Sequence, residues 1–204
     1  MERMDLSRRE REKILRRAEI LDVALRLFSQ RGFHNVSMKE IAKEAEFGVG
    51  TLYKFFKSKE DLYKALVLEK AYEFHQKFLE VLNAKKDILE KIKEYIRVKW
   101  EIVKDNLDFI KLYLAEVRGL SFSIRAGLDK EIRKLYTETL EKLSYIFSLG
   151  IRKGLFKENL NPYDLAISFD GMINSLLLSY FEKGEILNFS SDFILEVFLK
   201  GVLK

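Results

Sequence analysis

Lys54, Lys57 and Lys59 follow one another with no acid before Glu60, directly after a short stretch, Val49 to Phe56, that turns Val49, Gly50, Thr51, Tyr53 and Lys54 away from Leu52, Phe55 and Phe56. Cations and hydroxyls gathered on so short an element suit anion binding, because a helix start already offers free N–H groups and a positive dipole end. Covalent chemistry finds no support in the same inventory. The chain has no cysteine and two histidines, His34 and His75. Thiolate nucleophiles, disulfides, zinc-thiolate sites and histidine-rich metal sites are therefore excluded. No serine stands at a recognisable spacing from a histidine and an acid, and the carboxylates lie mostly among lysines. Gly48-Val49-Gly50 follows no strand and lacks the rest of a nucleotide-loop fingerprint. No catalysis, cofactor or metal is expected.

The elements that must position these residues are helical. One proline in 204 residues and 34% charged residues, with no strand-like alternation, describe an all-α chain. No run of eighteen apolar residues occurs and the charged start MERMDLSRREREK lacks a signal-peptide core, so no membrane contact and a cytoplasmic location are expected. A first helix is expected over about 7–31, with Ile14, Ala18, Leu21, Leu25 and Phe28 on one stripe and Gly32 as its C-cap. Ser37 with Glu40 forms a capping box for a second helix of barely two turns, carrying Met38, Ile41, Ala42 and Ala45. After a turn at Glu46-Phe47-Gly48 comes the third helix, about 49–56, too short to persist alone. It must pack on its two predecessors, which is the arrangement of a helix-turn-helix. Residues 1–60 hold 14 Lys and Arg against 10 Asp and Glu, and the remaining 144 hold 23 against 22. The positive excess is N-terminal, as a nucleic-acid partner or merely a solvated face would require.

Residues 51–62, T-L-Y-K-F-F-K-S-K-E-D-L, preceded by I-A-K-E-A and by a helix ending in F-S-Q-R-G-F, are very similar to the DNA-binding domain of tetracycline-repressor (TetR/AcrR-like) transcriptional regulators. The resemblance is specific over about 14–62 and architectural beyond. It implies that Ser37, Tyr53 and Lys59 contact phosphate and that Val49, Gly50, Thr51 and Lys54 lie in the major groove. With Lys39, Gly48 and Lys57 these make up the expected DNA-binding set. The sequence departs from the family at Glu46, where glycine is usual. Either Glu46 takes positive φ, at roughly 1 kcal/mol, or Gly48 takes that conformation instead. Val49 can meet a thymine methyl but cannot bond guanine.

Six further helices are expected at about 59–82, 87–105, 107–120, 128–153, 162–183 and 190–203, about nine in total. The division is a DNA-binding domain over 1–58 and an effector-binding and dimerisation domain over 59–204. The helix after Asn161-Pro162 has two apolar stripes, one with Ala166, Phe169, Ile173, Leu176, Leu177 and Tyr180, the other with Ile167, Gly171, Leu178 and Phe181. Such a helix needs cover on both sides, from a second copy or from a larger monomer core. A homodimer seam of Phe169, Ile173, Leu177, Tyr180, Ile194 and Phe198 is the expectation. Polar residues interrupt the apolar stripes at His75, Glu116, Thr139 and Asn174, with Trp100, Phe109, Tyr113, Tyr136 and Phe147 nearby in the pattern. Together they suit an apolar pocket with few polar anchors. The implied partners are a double-stranded operator, a second copy and a small effector. Glu116 favours either a cationic or hydrogen-bond-donating effector or, if neutralised, a hydrophobic acid.

Overall fold

The computed structural model describes residues 7–116 and 122–203. Among the described residues there are nine α-helices and no strand: α1 (Arg8–Arg31), α2 (Met38–Glu44), α3 (Val49–Phe55), α4 (Lys59–Asn83), α5 (Ile88–Asp105), α6 (Leu107–Glu116), α7 (Phe122–Arg152), α8 (Pro162–Glu182) and α9 (Asp192–Val202). The chain divides into two compact units, residues 1–69 with 108–128, and residues 70–107 with 129–204. The division thus falls inside α4, eleven residues beyond the expected boundary at 58. The cause is burial. Leu62, Tyr63, Leu66 and Val67 are all buried, and the Tyr63 ring lies 5.2 Å from Phe33 and 6.4 Å from Phe28. The start of α4 is therefore a fourth core helix of the first unit.

In that unit α1 buries Ile20, Leu21, Ala24, Leu27 and Phe28, whereas Ile14, expected on the same stripe, is 54% exposed. Ser37 caps α2 and Glu40 completes the box, accepting from the Ser37 backbone N–H at 2.8 Å. Ion pairs Arg26–Glu44 (2.9 Å) and Arg31–Glu40 (2.8 Å) fasten α2 to α1. Leu52 and Phe56 are buried and Phe55 is only half-buried, so Phe56 carries the packing that Phe55 was expected to share.

The second unit begins its helices with side-chain caps at Asp87 and Asn161, the latter followed by Pro162 at the first helical position. Its core is one apolar cluster. Phe147 is surrounded by Phe156, Phe169 and Phe198, with ring centroids 5.7, 5.8 and 5.7 Å away. Helix α7 starts at Phe122 and not near 128, and Gly127 lies inside it.

The α2–α3 turn closes as a Schellman motif. The Phe47 N–H donates to the Ala42 carbonyl (2.8 Å) and the Glu46 N–H to that of Lys43 (3.2 Å). Glu46 takes φ 57°, while Gly48 has an ordinary φ of −64°. Of the two expected outcomes, the strained one occurs. Glu46→Gly should raise the stability of the protein by about 1 kcal/mol, measured by denaturant unfolding; an unchanged or lower midpoint would contradict this.

Candidate nucleic-acid interface

Helix α3 has only seven residues and its N-cap, Gly48, has no side chain to satisfy the first N–H groups. Packing of Leu52 inward leaves Val49 37% and Tyr53 52% exposed, with Gly50 and Lys54 exposed and Thr51 half-buried. The outward set expected from the sequence therefore does share one surface. A Cβ at Gly50 would meet nothing within 4 Å, so this glycine keeps the surface low and does not relieve a clash. Lys39 on α2 is also exposed, as is Lys57. The Lys57 backbone N–H donates to Asp61 (2.9 Å), and Ser58 accepts from the Asp61 N–H (3.1 Å), which caps α4 and leaves the Lys57 ammonium outside.

Two members of the expected set are engaged within the chain. The Lys59 ammonium donates to the carbonyls of Phe33 (2.8 Å), His34 (3.3 Å) and Val36 (2.9 Å), and lies 4.5 Å from the Phe33 ring centre. All three of its donors are used. Lys59 staples the loop before α2 to the start of α4, so a phosphate there would have to compete with these carbonyls. Ser37 donates its hydroxyl proton to Glu40 (2.7 Å), and this bond, with Arg31 beside it, holds the Glu40 carboxyl down at about 2. A phosphate at Ser37 would have to compete with that carboxylate.

In the second unit the polar residues expected to face a pocket are largely satisfied internally. His75 Nδ1 meets Thr139 Oγ1 at 3.0 Å, and the Thr139 hydroxyl donates to the Leu135 carbonyl at 3.0 Å. The Trp100 indole donates to the Ile186 carbonyl (2.9 Å), and Phe147 is fully enclosed. Asn174, itself exposed, bonds to a buried cluster that the sequence reading missed. Its Oδ1 accepts from Lys99 (2.7 Å) and its Nδ2 donates to Asp170 (2.8 Å). Asp170 also pairs with Lys99 (2.5 Å) and accepts from the Tyr95 hydroxyl (2.6 Å). Burial pushes the Lys99 ammonium down and the Tyr95 hydroxyl well up. Burial, then the Asp170 charge, raises exposed Tyr136 to about 12. The missed signal was two i, i+4 pairs, Tyr95/Lys99 and Asp170/Asn174, set into apolar stripes. Phe109 and Tyr113, whose rings stack at 6.2 Å, lie on α6 in the first unit, and the Glu116 side chain lies outside the described residues.

A model of bacterial regulatory proteins of the tetR family matches residues 20–66, the span from the first buried residue of α1 to the buried start of α4. The chain is TetR/AcrR-like. The fatty acid metabolism regulator protein of Bacillus subtilis is 26% identical over 187 residues, covering 90% of this chain and 94% of that one. Among solved structures, the fatty acid degradation regulator FadR from Bacillus halodurans superposes with TM-score 0.74 at 22% identity, covering 91% of this chain and 95% of its own. FadR from Bacillus subtilis in complex with stearoyl-CoA gives TM-score 0.73 at 24% identity, covering 90% and 98%.

Most residues of the expected seam are covered within the chain itself. Phe169, Ile173, Leu177, Ile194 and Phe198 are buried in the chain's own core, and Tyr180 is half-buried, with its ring 5.8 Å from Phe189. The outward residues are those of the other stripe, Ile167 (44%) and Leu178 (43%) on α8, with Phe193 (59%) and Val197 (47%) on α9. Periodicity alone could not say which stripe the chain covers itself.

Two outcomes follow for this regulator. Lys59→Met should cost about 1–3 kcal/mol of stability by stripping donors from three carbonyls, while leaving the salt dependence of DNA binding unchanged; a shallower slope would restore its phosphate role. Asp170→Asn should cost about 3–5 kcal/mol because Lys99 is left buried without a counter-charge, whereas Lys99→Met with Asp170→Leu should be near neutral. Urea unfolding of the single and double variants decides between these outcomes.

Proposed function

We propose that the protein is an effector-responsive transcriptional repressor of the cytoplasm that binds a palindromic operator as a dimer through α3. One observation carries this reading: the family-matched unit holds a seven-residue helix so that Val49, Gly50, Tyr53 and Lys54 face outward beside exposed Lys57. Such a helix buries too little to be kept for the core, and its outward surface suits the major groove. Base preference then rests on Thr51 and Lys54, with Val49 as an apolar contact for a thymine methyl. Lys57 and one further cation per subunit would neutralise about four phosphates in a dimer, with Tyr53 as an uncharged contact. Log K should then fall against log salt with a slope of about −3.5 or steeper; a flat dependence would remove the reading.

The exposed stripe of Ile167, Leu178, Phe193 and Val197 is the surface for the second copy. Two-fold pairing covers the same apolar patch on both subunits. Leu178→Arg should yield a monomer by light scattering and abolish operator binding. Wild type remaining monomeric at micromolar concentration would overturn the dimer.

The effector is a long-chain acyl thioester or a related amphiphilic acid. Support comes from the relative named for fatty acid metabolism and from the neighbour solved with stearoyl-CoA. In this chain a groove of about 510 Å³ has an apolar wall of Ile88, Leu89, Ile146, Leu149 and Leu155, and Lys86, Lys91 and Lys153 also line it. Apolar walls with a few cations suit an acyl chain ending in an anionic head. Its neighbour in sequence, α4, is the helix that passes from this unit into the DNA-binding one, so ligand-induced change in α4 is the route of release. Stearoyl-CoA should raise the melting temperature and weaken operator binding; a 100-fold preference for the released form is worth about 2.7 kcal/mol. Stabilisation without loss of DNA binding would refute the coupling.

A further inference from the structure

Residues 8–17 hold six cations and two acids, so the whole positive excess of the first 60 residues sits on the first turns of α1. These turns lie ahead of residue 20, where both the family match and the buried stretch of α1 begin. Apart from Arg17, which pairs with Glu69 and lies 5.5 Å from the Phe56 ring centre, the unit does not pack on them, and an exposed helical segment of this length is marginal without support. Yet the segment is deliberately capped. Ser7 and Glu10 form a reciprocal capping box, and Arg8 pairs with Glu12 at 3.0 Å.

The capped turns form one wall of a groove of about 640 Å³. Arg9, Lys13 and Arg16 line it from α1, and Thr51, Lys54 and Phe55 line it from α3. The three α1 cations recur at i, i+4 and i+7, which places them on one face. All three are exposed, and among the described residues none has an ion-pair partner. The two acids on the same wall are already engaged, Glu10 with the Ser7 N–H and hydroxyl, and Glu12 with Arg8. What remains facing the groove is a cluster of cations continuous with the outward face of α3.

We propose that the first turns of α1 are a second DNA-contacting surface, in which Arg9, Lys13 and Arg16 hold the sugar-phosphate backbone flanking the segment entered by α3. The inference rests on the reading of this protein as a DNA-binding regulator. The groove wall opposite the cations belongs to α3 itself, so a duplex lying on Thr51 and Lys54 comes within reach of the long side chains of α1. Three cations over about 10 Å of helix meet a polymer that carries one negative charge per ~1.7 Å of its axis. Arginine and lysine on an exposed helix face supply affinity and register there without reading bases.

The test uses the full chain and a duplex recovered by wild-type protein from a random-sequence pool. The duplex is made at full length and trimmed by about five base pairs at each end, because residues 8–19 span roughly 18 Å of helix and base pairs rise ~3.4 Å each. The variant R9A/K13A/R16A removes exposed groups and should keep the wild-type melting temperature and the same preferred sequence. It should bind the full-length duplex at least 10-fold more weakly at low salt, with a log–log salt slope shallower by up to about 5 for a dimer. Trimming should weaken the wild type and leave the variant unaffected. A variant slope within one unit of wild type, or equal losses for both proteins on trimming, overturns the proposal while leaving the regulator reading intact. Failure of the wild type to retain any duplex overturns both.

Discussion

A seven-residue helix has almost no stability of its own, and the DNA-binding unit contains two of them in succession. Everything around α2 and α3 is organised by that constraint. The aromatic contacts of Tyr63 with Phe28 and Phe33 tie α4 to α1 and to the loop before α2. Lys59 gathers the same loop through three carbonyls, and two arginines of α1 clamp the outer face of α2. Only with this surround in place can the α2–α3 turn hold Glu46 in a left-handed conformation and leave the α3 surface to Val49, Tyr53 and Lys54. The strain at Glu46 sits beside the surface offered to DNA, where the packing of four helices over-determines the backbone.

The second unit is governed by a different balance. Its core is apolar and aromatic around Phe147, yet it encloses Lys99, Asp170 and Tyr95, to which the exposed Asn174 is bonded. A buried ion pair is weak evidence for stability, since apolar residues of similar volume do as well. The Asp170 carboxylate takes Lys99, Tyr95 and Asn174 together, and the cluster joins α5 to α8 in one register.

Much of this was legible in the sequence. Capping residues Ser37, Glu40, Asn161 and Pro162 give the starts of α2 and α8, because local hydrogen bonding decides them, whereas α7, with no such cap in its sequence reading, starts six residues before its expected position. The outward face of α3 was legible for the same reason, since Leu52 fixes the inward side. Lys59 was not, because a lysine next to a basic run looks mobile until the carbonyls of residues 33–36 are brought to it by the fold. The exposed stripe was not, because Phe169 and Ile167 are equally apolar and only tertiary packing tells which is already covered. Lys99 and Asp170 escaped for a related reason: in sequence each looks like an ordinary surface charge, and they lie 71 positions apart.

The division of α4 between the two units has a consequence for how such a protein can be recombined. The DNA-binding body draws on residues up to 69 and also on 108–128, so it is not one contiguous stretch of chain. A chimera joined at residue 58 would transplant α3 without Leu62, Tyr63, Leu66 and Val67, and so without a wall of its own core. Exchange of operator specificity between regulators of this architecture is therefore a matter of resurfacing α3 in place, while exchange of whole heads demands crossover points inside a continuous helix and a second graft some forty residues downstream.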